Sequence, residues 1–226
     1  NTIVGTEAGD ALTDADFNVA MGYGALGADT QGSKSTALGY GALFRQNFTS
    51  ATDSLNVAIG HGAGENVTTG IQNTIVGSLA ADALTDADYN VAIGQNALAV
   101  DTQGNKSIAI GNGALSAQNN SSGSTDADNV AIGYDAGDQN TTGIRNVYIG
   151  SLAGDSGTTA NSNVIVGYNS DLAAVDTAQI IVLGAGVTSQ AANNFTFGFG
   201  STDSNIAFGA TSISAPSDVR LKEDIQ

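Results

Sequence analysis

The stretch Asn56-Val57-Ala58-Ile59-Gly60-His61-Gly62-Ala63 decides the fold. It is an Asn, a three-residue apolar run, a Gly, two variable residues and an Ala. The same pattern reads NTIVGTEA at 1–8, NVAMGYGA at 18–25, STALGYGA at 35–42 and NTIVGSLA at 73–80. It continues as NVAIGQNA at 90–97, SIAIGNGA at 107–114, NVAIGYDA at 129–136, NVYIGSLA at 146–153 and NVIVGYNS at 163–170. Weaker copies stand at 180–187, 194–201 and 205–212, so thirteen units span the chain.

The pattern Gly recurs every 17 residues, with wider steps of 21 and 22 before Gly60 and Gly133 and shorter ones after Gly184. A larger repeat lies over it. Residues 1–72 match 73–145, with NTIVG, ALTDAD, DTQG and TTGI recurring in order and each wide step in the same place. This marks a duplicated four-rung cassette.

Seventeen residues are too few for a helical-hairpin repeat, which takes roughly 33 or more. Gly, Asn, Thr and Asp in nearly every unit also oppose helix. The expected fold is all-β: a β-solenoid or β-roll of about thirteen rungs, one per repeat. At about 4.8 Å per rung the rod would be on the order of 60 Å long.

Within each core, positions two and four share one face of a strand and position three faces the other way. Positions two and four are Val, Thr or Ile, then Ile, Val, Leu or Met. Position three is mostly Ala: Ala20, Ala37, Ala58, Ala92, Ala109, Ala131 and Ala207. Both faces are expected to be buried, with the small Ala face against a neighbouring backbone. A second contact surface along the rod predicts self-association, and cyclic assembly would supply burial that a thin rung lacks. The recurrent Gly is expected at positive φ or at a close backbone approach. The recurrent Asn is expected at corners, as an αL residue or in stacked hydrogen-bonded ladders.

Composition narrows function. The 226 residues include 30 Gly, one Pro, one His and no Cys, and carry a net charge of -16. Such an acidic chain opposes phosphate-backbone binding, so no nucleic-acid partner is expected. No apolar run approaches the roughly 20 residues of a membrane helix, so no membrane insertion is expected. No cofactor is expected, and without Cys neither a disulfide framework nor a thiolate metal site is available. The first residue is not Met and no signal peptide is visible, which predicts a piece of a longer chain.

The NVAIGxxA unit resembles the head repeats of trimeric autotransporter adhesins, whose heads are left-handed β-rolls. The spacers Ala25-Leu26, 66–70 and 140–143 resemble those of phage tail-fibre repeat arrays. At the C-terminus, Ser217-Asp218-Val219-Arg220-Leu221-Lys222 is similar to the opening Ser-Asp-x-Arg-Leu-Lys of endosialidase-type intramolecular chaperones. The resemblance implies a homotrimer, intertwined or side by side. It also implies a precursor that cuts itself, with Ser217 and Lys222 as the reacting pair. A Lys of lowered pKa activates a Ser hydroxyl without a His. The domains read as 1–192, the repeat roll; 193–216, a Phe-rich stem of short rungs; and 217–226, the start of the chaperone.

The expected function is a structural and receptor-binding segment of a phage tail fibre, located in the virion. Its partners would be two further copies, a host-surface glycan or protein, and other tail-fibre or baseplate proteins. The alternatives are a bacterial trimeric surface adhesin and a virion glycan depolymerase. The chain itself is not expected to be an enzyme, because no distinctive carboxylate pair stands out.

The residue after the repeat Gly is aromatic at Tyr23, Tyr40, His61, Tyr134 and Tyr168, a candidate stripe for sugar or protein contact. The wide connection 43–55 adds Phe44, Arg45 and Phe48, since loops on rigid scaffolds often carry recognition. For both sets the competing reading is packing. Asp14, Asp16, Asp86 and Asp88 resemble the opening of a calcium loop but lack its Gly and distal Glu, so an acidic turn competes there. Lys34 and Lys106, equivalent in the two cassettes, are expected to pair with neighbouring acids.

Overall fold

The computed structural model describes residues 1–120, 125–174, 176–200 and 203–210. It is a parallel β-solenoid without helix among these residues. One sheet of thirteen strands runs its length. Ten strands have three residues: Thr2–Val4, Val19–Met21, Thr36–Leu38, Val57–Ile59, Thr74–Val76, Val91–Ile93, Ile108–Ile110, Val130–Ile132, Val147–Ile149 and Val164–Val166. Ile181–Ala185 and Asn194–Phe199 are longer. All twelve pair in parallel and in strict repeat register, as in Val19↔Thr36, Ala20↔Ala37 and Met21↔Leu38.

The count of thirteen rungs needs correction. Ser204–Ala207 pairs antiparallel with Asn194–Phe199, so twelve parallel strands enclose eleven turns and the last unit closes a hairpin. The short spacing explains this, because a full turn cannot be made in 11 residues where its neighbours take 17. The Phe-rich stem is therefore a hairpin over its described part, and residues 217–226, with Ser217 and Lys222, lie outside the described residues.

The two faces of the strands also reverse the expected contact surface. Ala20, Ala37, Ala58, Ala92, Ala109 and Ala131 are fully buried inside the chain's own coil. The outward face carries the large aliphatics, with Val4, Met21, Leu38, Ile59, Ile132, Ile149 and Leu183 between 36% and 54% exposed. Ala is small because the opposite wall of the same turn stands close, not because a second chain does.

That wall is packed by compensating sizes. Where strands offer Ala20, Ala37, Ala92 and Ala109, the turns insert Leu26, Leu43, Leu98 and Leu115, all fully buried. Where a strand offers Ile75, the facing turn has Gly64, whose Cβ would lie 2.8 Å from the Ile75 Cδ1. Tyr148 lies between Gly137 and Gly154 in the same way.

Two ladders run along the rod. The Asn18 Oδ1 accepts from the Ser35 amide at 2.7 Å, and the Asn18 Nδ2 donates to the Gly32 carbonyl at 2.7 Å. Asn73, Asn90, Asn129 and Asn146 repeat this, each tied to the next turn. The αL residue is not the Asn but the one before it, for example Phe17 at φ 62°, Gln72 at 57° and Tyr89 at 62°. The repeat Gly forms the second ladder. Gly77 has φ 138°, and a Cβ on Gly5 would stand 2.6 Å from the Gly22 carbonyl oxygen.

At each wide step Ser35 or Ser107 replaces the Asn, and a buried Gln reaches in. Gln46 donates to Asp29 at 2.6 Å and accepts from Asn56 at 2.8 Å; Gln118 does the same with Asp101 and Asn129. Outside, Gly32–Ser33 pairs with Thr52–Asp53, and Gly104–Asn105 with Thr125–Asp126. Lys34–Asp53 at 2.6 Å and Lys106–Asp126 at 2.5 Å close these connections as expected.

Candidate functional site: an aromatic ladder and its groove

Parallel strands in register place equivalent residues directly above one another, so the position after the repeat Gly becomes a column. Tyr23 stacks on Tyr40 with centroids 5.3 Å apart and planes 15° apart. Tyr40 stacks on His61 at 5.0 Å and 8°. The separation follows the strand spacing, so backbone pairing itself holds the rings. The column then loses its aromatics at Ser78, Gln95 and Asn112. Tyr134 and Tyr168 occupy later levels, 56% and 61% exposed, with Ser151 between them. The five-residue stripe is therefore a triplet and two single rings.

Phe44 joins the triplet. It follows αL Leu43, and its ring lies against the Gly24–Gly27 turn, where a Cβ on Gly24 would meet Phe44 Cδ2 at 3.0 Å. Tyr23, Tyr40, Gly41, Phe44 and Glu65 line a groove of about 200 Å³. Gly41, at φ 65°, forms its floor, and a Cβ there would make ordinary contact with Glu65 Oε2 at 3.6 Å. Arg45 is exposed beside this connection, whereas Phe48 is only 6% exposed. Phe48 packs beside Gly32, so the expectation of a surface role for it is corrected.

The groove carries one acid in its lining, Glu65, and the exposed Arg45 on the adjacent turn donates its backbone amide to the Glu65 carbonyl at 3.0 Å. Glu65 is half-buried, and the ion pairs among the described residues, Lys34–Asp53 and Lys106–Asp126, do not include it. Burial and then the Glu65 charge raise the Asp82 carboxyl above its ordinary value. Glu7, as hydrogen-bond acceptor and negative neighbour, raises the Tyr23 hydroxyl. Glu65 and Glu7 were missed in the sequence because acids are scattered through every turn. The difference between the cassettes would find Glu7, whose counterpart is Leu79, but not Glu65, whose counterpart Asp138 is also an acid.

Three of the four acidic-turn residues take part in hydrogen bonds within the coil. Asp88 accepts from the Ile71 amide at 2.8 Å, Asp86 accepts from the Thr85 hydroxyl at 2.9 Å, and the Asp16 amide donates to Ser33 at 2.9 Å. Asp14 and Asp16 are exposed, and no group of three His, Cys, Asp or Glu arranged to hold a metal occurs among the described residues.

A second cluster joins Asp138, Asp155 and Asp171, one from each of three adjacent turns. Burial, then the charge of Asp171 and its hydrogen bond, pushes Asp155 up to about 6. Above it the fully buried Tyr148 hydroxyl is also shifted upward, chiefly by burial. Comparison with family models, curated proteins and solved structures gives no match, so the site is read from its geometry.

Proposed function

We propose that the chain is a structural and receptor-binding segment of a phage tail fibre, assembled as a homotrimer and attached through its aromatic ladder to a host-surface glycan or protein. The observation that carries the reading is the outward aliphatic stripe. Position four of the twelve parallel strands is apolar throughout and position two is apolar except at Thr2, Thr36 and Thr74, and together they form a largely apolar band about 50 Å long at the strand spacing. A largely apolar band that stays half-buried to exposed along the rod marks an interface rather than a solvated face. Its periodicity equals the chain's own, so identical copies aligned along the rod would match it rung by rung. Three parallel copies would also present three aromatic ladders, and linked sites raise avidity without new contacts.

The segment 217–226 supports the tail-fibre reading by its resemblance to a chaperone opening. In the precursor, Ser217→Ala is expected to abolish cleavage at that junction, read by electrophoresis; continued cleavage there would remove Ser217 from the mechanism. Sedimentation equilibrium tests the assembly, with three times 22.4 kDa expected. A stable 22.4 kDa species would overturn the trimer. No observation favours the depolymerase alternative.

A further inference from the structure

We infer that the groove lined by Tyr23, Tyr40, Gly41, Phe44 and Glu65 is a binding site for a primary alkylammonium group, with its methylenes along the aromatic walls and its charge on Glu65. This deepens the attachment reading above and rests on it for biological meaning.

Three observations converge. The first is shape and chemistry. Three aromatic side chains and a glycine floor give a slot of mixed polarity of about 200 Å³, sized for a short alkyl chain. Glu65 stands at its side as a half-buried carboxylate in no ion pair among the described residues. A half-buried carboxylate beside aromatic walls favours a ligand that brings both a cation and methylenes.

The second is sign. Asp82 lies close enough to Glu65 for its carboxyl to be raised by that charge, and Glu7 does the same to the Tyr23 hydroxyl. Three acids stand here against one base, Arg45, which is exposed, does not line the groove and forms no ion pair with Glu65 among the described residues, so the balance of charge favours a cation.

The third is the duplicated cassette, an internal control on the packing explanation. In the second copy Tyr23, Tyr40, Phe44 and Glu65 become Gln95, Asn112, Ser116 and Asp138. Those turns keep the same parallel register, Ala92↔Ala109↔Ala131 against Ala20↔Ala37↔Ala58. Gln95 and Asn112 simply hydrogen-bond to each other at 3.2 Å. The solenoid therefore does not need the aromatics, and their presence in one copy only answers to something outside the chain.

The test uses the whole chain and n-pentylamine, a cation at neutral pH, with 1-pentanol as its uncharged counterpart. Titration followed by NMR is expected to show saturable pentylammonium binding at Tyr23 and Tyr40, with 1-pentanol at least tenfold weaker. Glu65→Gln is expected to weaken pentylammonium at least fivefold. The triple variant Tyr23→Gln, Tyr40→Asn, Phe44→Ser, which installs the second copy's residues, is expected to keep the melting temperature and lose binding. Equal binding of amine and alcohol, or an unchanged affinity in Glu65→Gln, overturns the proposal. Two sources of the amine are then separated by competition, with Nα-acetyl-lysinamide in one arm and phosphatidylethanolamine vesicles in the other. Displacement of pentylammonium by either supports the site and assigns its source; displacement by neither overturns it. Host-cell adsorption of the triple variant is read separately: normal adsorption with lost amine binding would overturn the attachment role and leave the amine site standing.

Discussion

At the residue scale, the fold rests on two side-chain rules repeated up the rod. Asn73 accepts from the Asn90 amide at 2.9 Å and donates to the Ala87 carbonyl at 2.8 Å, both buried. Asn73→Ala orphans one donor and one acceptor, and at about 1–3 kcal/mol for each buried group the expected loss is about 3 kcal/mol, read by denaturant unfolding. The Gly ladder is less tolerant. Gly77 combines φ 138° with a close approach to the Gly94 carbonyl, so Gly77→Ala is expected to cost at least about 3 kcal/mol. Gly200 shares the positive φ at 61° but has nothing within 4 Å, so Gly200→Ala is expected to cost only about 1 kcal/mol. The Gly rule was legible in the sequence because period and residue type coincide. The Asn rule was half legible. Its bonding partner lies on the next turn, so sequence spacing showed the ladder but not which atoms it joins, and the αL burden falls on unremarkable residues such as Phe17 and Gln72.

At the element scale, a turn is defined by what it places opposite its strand. Strand alternation separated Ala58 from Val57 and Ile59, but alternation alone does not say which face is inside. The buried Leu43 and Leu26 decide it, by filling from the turn the room that Ala leaves. Stacked turns also bring together acids that are 16 or 17 residues apart, which no local motif signals. Asp155, raised to about 6, faces Asp171 through a shared hydrogen bond and Asp138 through charge, with Tyr148 next to Asp171. Its pKa in the unfolded chain is about 3.9. The folded state therefore holds the proton more tightly, and stability falls as pH rises from about 4 through 6. The melting temperature is expected to be higher at pH 4.5 than at pH 7.5. General relief of the acidic charge pushes the same way, so Asp155→Asn is the discriminating variant. It is expected to raise the melting temperature at pH 7.5 and flatten the pH dependence; an unchanged pH profile would show that the cluster plays no part.

At the scale of the whole molecule, the chain is a rod whose inner Ala face is fully buried and whose outer aliphatic band stays partly open. The acids lie mainly in the turns, while the band formed by Ile59, Ile93, Ile110, Ile132 and Ile149 is uncharged and runs onto Phe195 and Phe197, whose rings meet at 5.0 Å. Charge keeps such rods apart everywhere except along that band. A probe of assembly must therefore change the band without touching the inner Ala wall. Ile59 points outward and is 36% exposed, so Ile59→Lys leaves the coil's packing intact, and within one chain the Lys stem can lie along its neighbours with its ammonium in water. In a closed trimer the same change brings three ammonium groups together in an apolar band, where unpaired charge is costly. The expected result is a fall in sedimentation mass from the trimer toward 22.4 kDa, with the parallel-sheet circular dichroism retained. A charge on the turn face, Thr69→Lys, where the side chain is exposed, is expected to leave the mass unchanged. If Ile59→Lys sediments like the parent while that parent is trimeric, the copies meet through some other face, and the band must serve a different contact.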